Sequence, residues 1–261
     1  MSGSQLARTL GGGWQQSKVS KIETGRQMPT PEEVIAWARA TGVDPDTLLA
    51  LHSKAFAEFG AWRNRLDLAG GPAAFQGELA ALESSCTFLA EYQPAFIPGR
   101  LQTPSYMRQM TAGDTFLEEI GIDDDELSRI IAAKVRRQSI LYEPGRRIVH
   151  VVGEAALRTR IGGITRGTMR EQLLHLADLA ELAGHEFGVV PFDVNSPIAP
   201  TTGFDMYDRD LVIVEALAGE LQITDPGAIN RYARWLDELL AVALKGADAA
   251  AFCQQVRAEM N

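Results

Sequence analysis

Residues 13–30 read GWQQSKVSKIETGRQMPT, and the rest of the N-terminal region can be laid out from this stretch. Val19 and Ile22 stand three apart, the spacing of one helix face, over a segment from about Gln15 to Thr24. Trp14 sits just ahead as a packing anchor. The other face carries Gln16, Ser17, Lys18 and Lys21, and Gly25 is placed to end the helix in the left-handed conformation that glycine tolerates. Upstream, Ser2 is a good N-cap for a short helix bearing Leu6 and Leu10 on one face, broken by Gly11-Gly12-Gly13. Downstream, Thr30, Pro31 and Glu33 spell a capping box with proline at the first helical position. Val34, Ile35, Trp37 and Ala38 form the buried stripe of that helix. Asp44-Pro45 repeats the device for a fourth helix, predicted to run through DTLLALHSKAFAEFGAWRNRL.

Helix, turn, polar helix and two further helices, with the exit SKVSKIETGRQMPT, resemble the helix-turn-helix regulators of the phage-repressor and Xre type. The resemblance implies double-stranded DNA as partner and Gln16, Ser17, Lys18, Lys21 and Arg26 as the DNA-binding residues. The chemistry fits, because glutamine suits adenine, serine donates or accepts, and lysine reaches guanine or phosphate. Two departures stand out. The family has a further helix ahead of the one beginning at Ser2, which would cover Leu6, Leu10, Trp14 and Ile22. It also has one glycine in the turn where three stand here. The domain is therefore expected to be truncated.

The 261 residues carry a net charge of −9, yet residues 1–30 hold Arg8, Lys18, Lys21 and Arg26 against Glu23 alone. A small basic head can neutralise phosphates locally, because charge is screened within about 10 Å. A hydrophobic content of 46% excludes a disordered chain, and no apolar run approaches the roughly 20 residues of a spanning helix. The start, MSGSQLARTL, lacks a signal-peptide layout. Cys86 and Cys253 form no CxxC pair. A cytoplasmic protein with no membrane partner is expected.

Beyond residue 70 the pattern alternates. AFQGELAALESSCTFLAEYQ is predicted as one helix ending at Pro94. Thr103-Pro104 starts another, and DDDELSRIIAAKVRRQSILYE is a third, acidic at its start and basic at its end. RRIVHVVG and EFGVVPF read as strands, and FDMYDRD with LVIVEAL as a hairpin turning at Asp208–Asp210. EAALRTRI, TRGTMREQLLHLADLAELAG and DPGAINRYARWLDELLAVAL read as helices. The fold class is α+β or α/β: a small all-helical head followed by a larger mixed domain with a small sheet. The boundaries predicted are 1–50 for the head, 51–69 for a linking helix and 70–261 for the C-terminal domain.

The ordered blocks YQPAFIPGRLQTPSYM, RRQSILYE, VVGEAALRTRIGG, EQLLHL, FGVVPF, GFDMYD and VIVEAL resemble a second module. It is a domain of unknown function found at the C-terminus of actinobacterial Xre-type regulators, sometimes called antitoxin-like. That family has leucine where Arg100 stands. The resemblance implies a homodimer, with a small-molecule effector or a small protein partner acting through the body.

No catalytic constellation emerges. His52, His150, His175 and His185 lack metal-ligand spacing, so no metal is expected, and no cofactor motif is present. GGITRGT is a weak imitation of a phosphate loop without lysine. Asp123–Asp125 reads as a solvated helix start. Candidate ligand-binding residues are Tyr92, Phe96, Arg100, Gln102 and Tyr106, grouped around a Pro-Gly turn, with Glu154 and Glu215 at strand ends. For the aromatics a core role, and for the two glutamates a surface salt bridge, is the competing reading. Two classes of function follow. The favoured one is a DNA-binding transcriptional regulator gated by a small molecule or partner. The other is a regulator-derived protein that no longer binds DNA and serves as a ligand binder or enzyme of specialised metabolism.

Overall fold

The computed structural model describes residues 2–23, 29–58, 60–61, 66, 69–111, 122–199, 201–216 and 219–260. The chain divides into two compact units, Met1–Gly60 and Ala61–Asn261.

The first unit is helical. Helix α1 (Gly3–Leu10) starts at the expected cap: Ser2 accepts from the Gln5 amide, and the Gln5 side chain accepts from Ser2. Gly11, Gly12 and Gly13 all have positive φ (64°, 46° and 94°), a run that only glycine sustains cheaply. Helix α2 (Gln16–Glu23) follows; Thr24, Gly25 and Arg26 lie outside the described residues. Helix α3 (Pro31–Thr41) has the predicted capping box and ends at Gly42 in the left-handed region. Helix α4 (Pro45–Glu58) is capped by Asp44, which accepts from the Thr47 amide. Its expected continuation to Leu66 falls largely outside the described residues. The apolar face expected to lack cover is not bare. Leu6, Ala7 and Val19 are buried, with Leu10, Trp14, Trp37 and Ala40 packed on them. Trp37, from α3, meets Trp14 edge-on at 5.8 Å.

The second unit is a mixed sheet between helical layers. Its strands are β1 (Phe88–Gln93), β2 (Arg147–Gly153), β3 (His185–Val190), β4 (Phe204–Tyr207), β5 (Leu211–Ala216), β6 (Gly219–Ile223) and β7 (Leu244–Lys245). The strands wholly within this unit run β6-β5-β4-β1-β2-β3-β7. The β1-β2-β3 centre is parallel, and the flanking pairs are antiparallel. Side chains alternate between the two faces. On one face Leu89, Ile148, Val152 and Phe187 pack with helices α9 (Arg166–Ala180) and α11 (Ala247–Glu259). On the other, Ala90, Tyr92, Val149, Val151, Phe204 and Met206 meet α10 (Pro226–Val242).

One element departs from the sequence reading in a way that matters. The helix predicted through Gln93 stops early, as α5 (Pro72–Ser85), and FLAEYQ is the central strand β1. Cys86 is already extended, and β1 pairs along its length with β2 on one side and β4 on the other. Pairing on both edges outweighs the helix propensity of Leu, Ala and Glu. Strand β6 and helix α11 are further elements that the pattern reading did not isolate.

Candidate functional site

Two regions bear on function. In the head, α2 exposes Gln16, Ser17 and Lys21 while Val19 is buried beneath them. Lys18 behaves differently. It is partly buried, its ammonium pairs with Glu33 of α3, and it lies 4.8 Å from the centre of the Trp14 ring. That hydrogen bond holds the Glu33 carboxyl below its ordinary range.

In the second unit, a cavity of about 320 Å³ opens on one face of the sheet. Its floor comes from β1, β4, β5 and β6. The other walls come from α5, from α7 (Asp124–Arg137), and from the turn Gly99–Leu101. The register explains its chemistry. Glu91 of β1 lies opposite Asp205 of β4 on one side and opposite His150 of β2 on the other. Two carboxylates facing each other across strands repel, and burial makes that worse. Arg100 resolves the conflict. Buried to 4% exposure, it donates from Nη1 to Glu83 at 2.5 Å, and from Nη2 to Glu91 at 2.9 Å and Asp205 at 2.7 Å. Its Nε donates to His150 Nε2 at 3.2 Å.

That last bond fixes the imidazoles. His150 Nε2 accepts, so its Nδ1–H donates to His185 Nε2 at 2.8 Å, and His185 Nδ1–H donates to the Leu179 carbonyl at 3.1 Å. Both rings are neutral in this relay. Burial, with Arg100 nearby, lowers the pKa of each. Arg137 of α7 completes the cluster by donating to Glu83 and Gln76.

The carboxylates divide by their partners. Burial works to raise Glu83, but the hydrogen bond from Arg137 and the charges of Arg100 and Arg137 hold it low. Glu91 is pushed up to about 8, by burial first and then by Asp205. Asp205 is raised by burial, against the pull of Arg100. Burial raises Tyr207 as well. Glu215 stands exposed at the rim. The surrounding protein, then the Asp205 and Glu220 charges, push it up to about 7, an effect that solvent at the rim screens. Burial lowers Lys134, which also lines the cavity.

Of the residues singled out from the sequence, Phe96, Arg100, Gln102 and Glu215 line this cavity. Tyr92 points to the opposite face, against Phe204. Tyr106, on helix α6 (Pro104–Met110), is fully buried, its hydroxyl unpartnered and its pKa pushed up to about 12 by burial. Glu154 begins helix α8 (Glu154–Arg158), where it pairs with Arg158 at 2.6 Å and accepts from the Phe192 amide. Sequence reasoning passed over Glu83, Glu91, Asp205, Lys134, Arg137 and Glu220. The available signal was a carboxylate at an inward position of an apolar strand, as in FLAEYQ and FDMY. It is readable only once β1 is known to be a strand.

The model of a domain of unknown function, DUF5753, matches residues 76–255. The chain belongs to the DUF5753 family. A helix-turn-helix domain model matches residues 1–51, so a DNA-binding type of head precedes the DUF5753 domain. Comparison with the curated proteins and with the solved structures found no significant match. Among the described residues no helix is long and apolar enough to cross a membrane. Among the same residues, no group of three or more His, Cys, Asp or Glu side chains could hold a metal ion. The lining of the DUF5753 cavity sets Glu91, Asp205, Glu215 and Glu220 beside Arg100, Arg137 and Lys134.

Proposed function

We propose that this protein is a transcriptional regulator of the Xre type, acting as a homodimer in the cytoplasm. In this reading α2 enters the major groove, and a small molecule in the DUF5753 cavity, or a small protein partner, sets DNA affinity. The observation that carries the reading is α2 itself. Val19 anchors the helix in the head's core, and Gln16, Ser17 and Lys21 remain exposed on it. That is the division of labour a groove-reading helix needs. Gln16 and Ser17 would read base edges; Lys21 and Arg26 would hold phosphates. Lys18 is held by Glu33, so its part would be to brace α2 against α3.

The test is a mobility-shift titration of the full chain on DNA from its own upstream region, at several salt concentrations. Gln16→Ala is expected to relax preference at one base position, at about 1–3 kcal/mol. Lys21→Ala is expected to weaken binding to all sequences and lower the salt slope by about one unit. Binding by both variants that matches the parent would refute the assignment.

One observation favours a second reading. Lys18, which the resemblance assigns to DNA, is already neutralised within the protein. A head that has lost DNA binding, on a DUF5753 domain that acts as a ligand binder, would show no salt-dependent DNA affinity at all.

A further inference from the structure

We propose that the DUF5753 cavity receives a small organic cation, a primary ammonium or guanidinium group carried on an apolar body. This rests on the reading of the cavity as a ligand site and adds the chemistry of the ligand.

The first argument is charge. Glu91, Asp205, Glu215 and Glu220 line the cavity against Arg100, Arg137 and Lys134. Arg100 is shared among Glu83, which lies outside the lining, Glu91 and Asp205, and Arg137 is engaged by the same Glu83. Arg100 also has its Nε turned to His150, and Arg137 its Nη1 to Gln76. Carboxyl groups thus outnumber the cationic side chains, and each arginine is already committed. An anionic ligand would meet that excess with little cationic capacity left to hold it.

The second argument is hydrogen-bonding capacity. Ammonium and guanidinium groups are donors only, and the ionised carboxylates of the lining are acceptors only. Gln102 belongs to the same wall; its Nε2 is committed to the Ile97 carbonyl at 2.7 Å.

The third argument concerns the rest of the ligand. Phe75, Leu79, Phe96, Ile130 and Ile213 supply apolar wall. About 320 Å³ is in the range of small-molecule sites.

A cation binds best when the carboxylates are ionised. Glu91 and Glu215 are faced from β4 by Asp205 and Tyr207, from β2 by His150, and from β6 by Glu220. The helical side contributes Glu83 of α5 and Lys134 and Arg137 of α7, with Arg100 from the turn. Tyr207 and His150 stay neutral, since burial raises the one and lowers the other. Loss of charge from Lys134 at higher pH acts in the same direction as ionisation of the acids. Affinity therefore rises with pH as Glu91, pushed up to about 8 by burial and then by Asp205, ionises, and binding releases protons.

The experiment is calorimetric titration of the full chain with 2-phenylethylamine, with the neutral 2-phenylethanol and with the anionic 3-phenylpropionate. The amine is expected to bind at least roughly tenfold more tightly than the alcohol, and the carboxylate not measurably. Affinity for the amine is expected to rise about tenfold from pH 6 to 8, with proton release read from buffers of different ionisation heat. Glu215→Gln, at the exposed rim and outside the arginine network, is expected to weaken the amine several-fold without lowering the melting temperature. Leu79→Trp, which fills the apolar end, is expected to abolish amine binding. Tighter binding of the alcohol or the carboxylate, no amine binding, or amine binding indifferent to both variants would each overturn the proposal. Amine binding that leaves DNA affinity unchanged supports the cation and sinks only the gating.

Discussion

Replacing Arg100 with methionine tests the central electrostatic argument, because the unbranched apolar stem is kept while the charged, donating guanidinium goes. Arg100 is 4% exposed and contacts three carboxylates. Glu83 retains Arg137, so its loss is partial. Glu91 and Asp205 lose the one arginine that reaches each of them within 4 Å among the described residues. Breaking a buried pair from one side costs about 3–5 kcal/mol, because it leaves uncompensated charge behind. In a domain of this size that is roughly 6–20 °C in melting temperature. The pH dependence gives the sharper check. Both acids already have raised values in the folded protein, and without Arg100 they rise further. A carboxyl raised on folding imposes no penalty below its unfolded pKa, and the penalty grows as pH climbs toward the folded value. The variant's extra deficit should therefore be small at pH 5 and should grow as pH passes the parent's folded values, for Glu91 above about 8. Thermal melts of parent and Arg100→Met by circular dichroism at pH 5, 7 and 9 read it directly. A deficit that is equal at all three values, or that shrinks from pH 5 to 9, would refute the idea that Arg100 compensates Glu91 and Asp205. Adding Glu91→Gln and Asp205→Asn to Arg100→Met should recover part of the loss, as removal of the stranded charges predicts.

Two further outcomes follow from local geometry. Asp208 Oδ1 accepts from the Thr87 amide at 3.0 Å, the Thr87 hydroxyl at 3.0 Å and the Phe88 amide at 2.8 Å, pinning the start of β1 from the β4–β5 turn. Asp208→Ala should cost about 1.5–3 kcal/mol in urea melts at pH 7. The hydrogen bonds hold the Asp208 carboxyl low, so the cost should shrink as pH falls below the ordinary aspartate value of about 4; a pH-independent loss would contradict this. Gly13 has φ 94°, and a Cβ there would meet nothing within 4 Å, so Gly13→Ala should destabilise the head through backbone strain alone, by roughly 1–2 kcal/mol. Hydrogen exchange over residues 2–23 would detect it, and unchanged protection would count against a glycine requirement.

Local chemistry made much of this protein legible without coordinates. Ser2, Thr30, Asp44, Thr103, Asp123 and Asp225 each start a helix where the sequence places a cap, because capping is settled within three or four residues. The strands RIVHVVG and HEFGVV, and the hairpin around Asp208, were readable for the same reason: β-branched runs and turn residues act locally. FLAEYQ was not. Its composition suits a helix, and it is a strand because β2, about 60 residues later, and β4, over 100 residues later, pair with its two edges. The candidate site depends on that outcome. Only when β1 lies between β2 and β4 do Glu91, Asp205 and His150 fall in one row, and only then does Arg100 have three carboxylates to hold. Arg100, Gln102, Phe96 and Glu215 could be singled out from sequence as polar or aromatic groups near turns and strand ends. Tyr92 and Tyr106 carried the same signal and went to the far side of the sheet and into the core, because side-chain direction is set by strand register and helix packing. Caps and turns are short-range and were written in the sequence. Which charges meet, and which protons they keep, is long-range and was decided by the sheet.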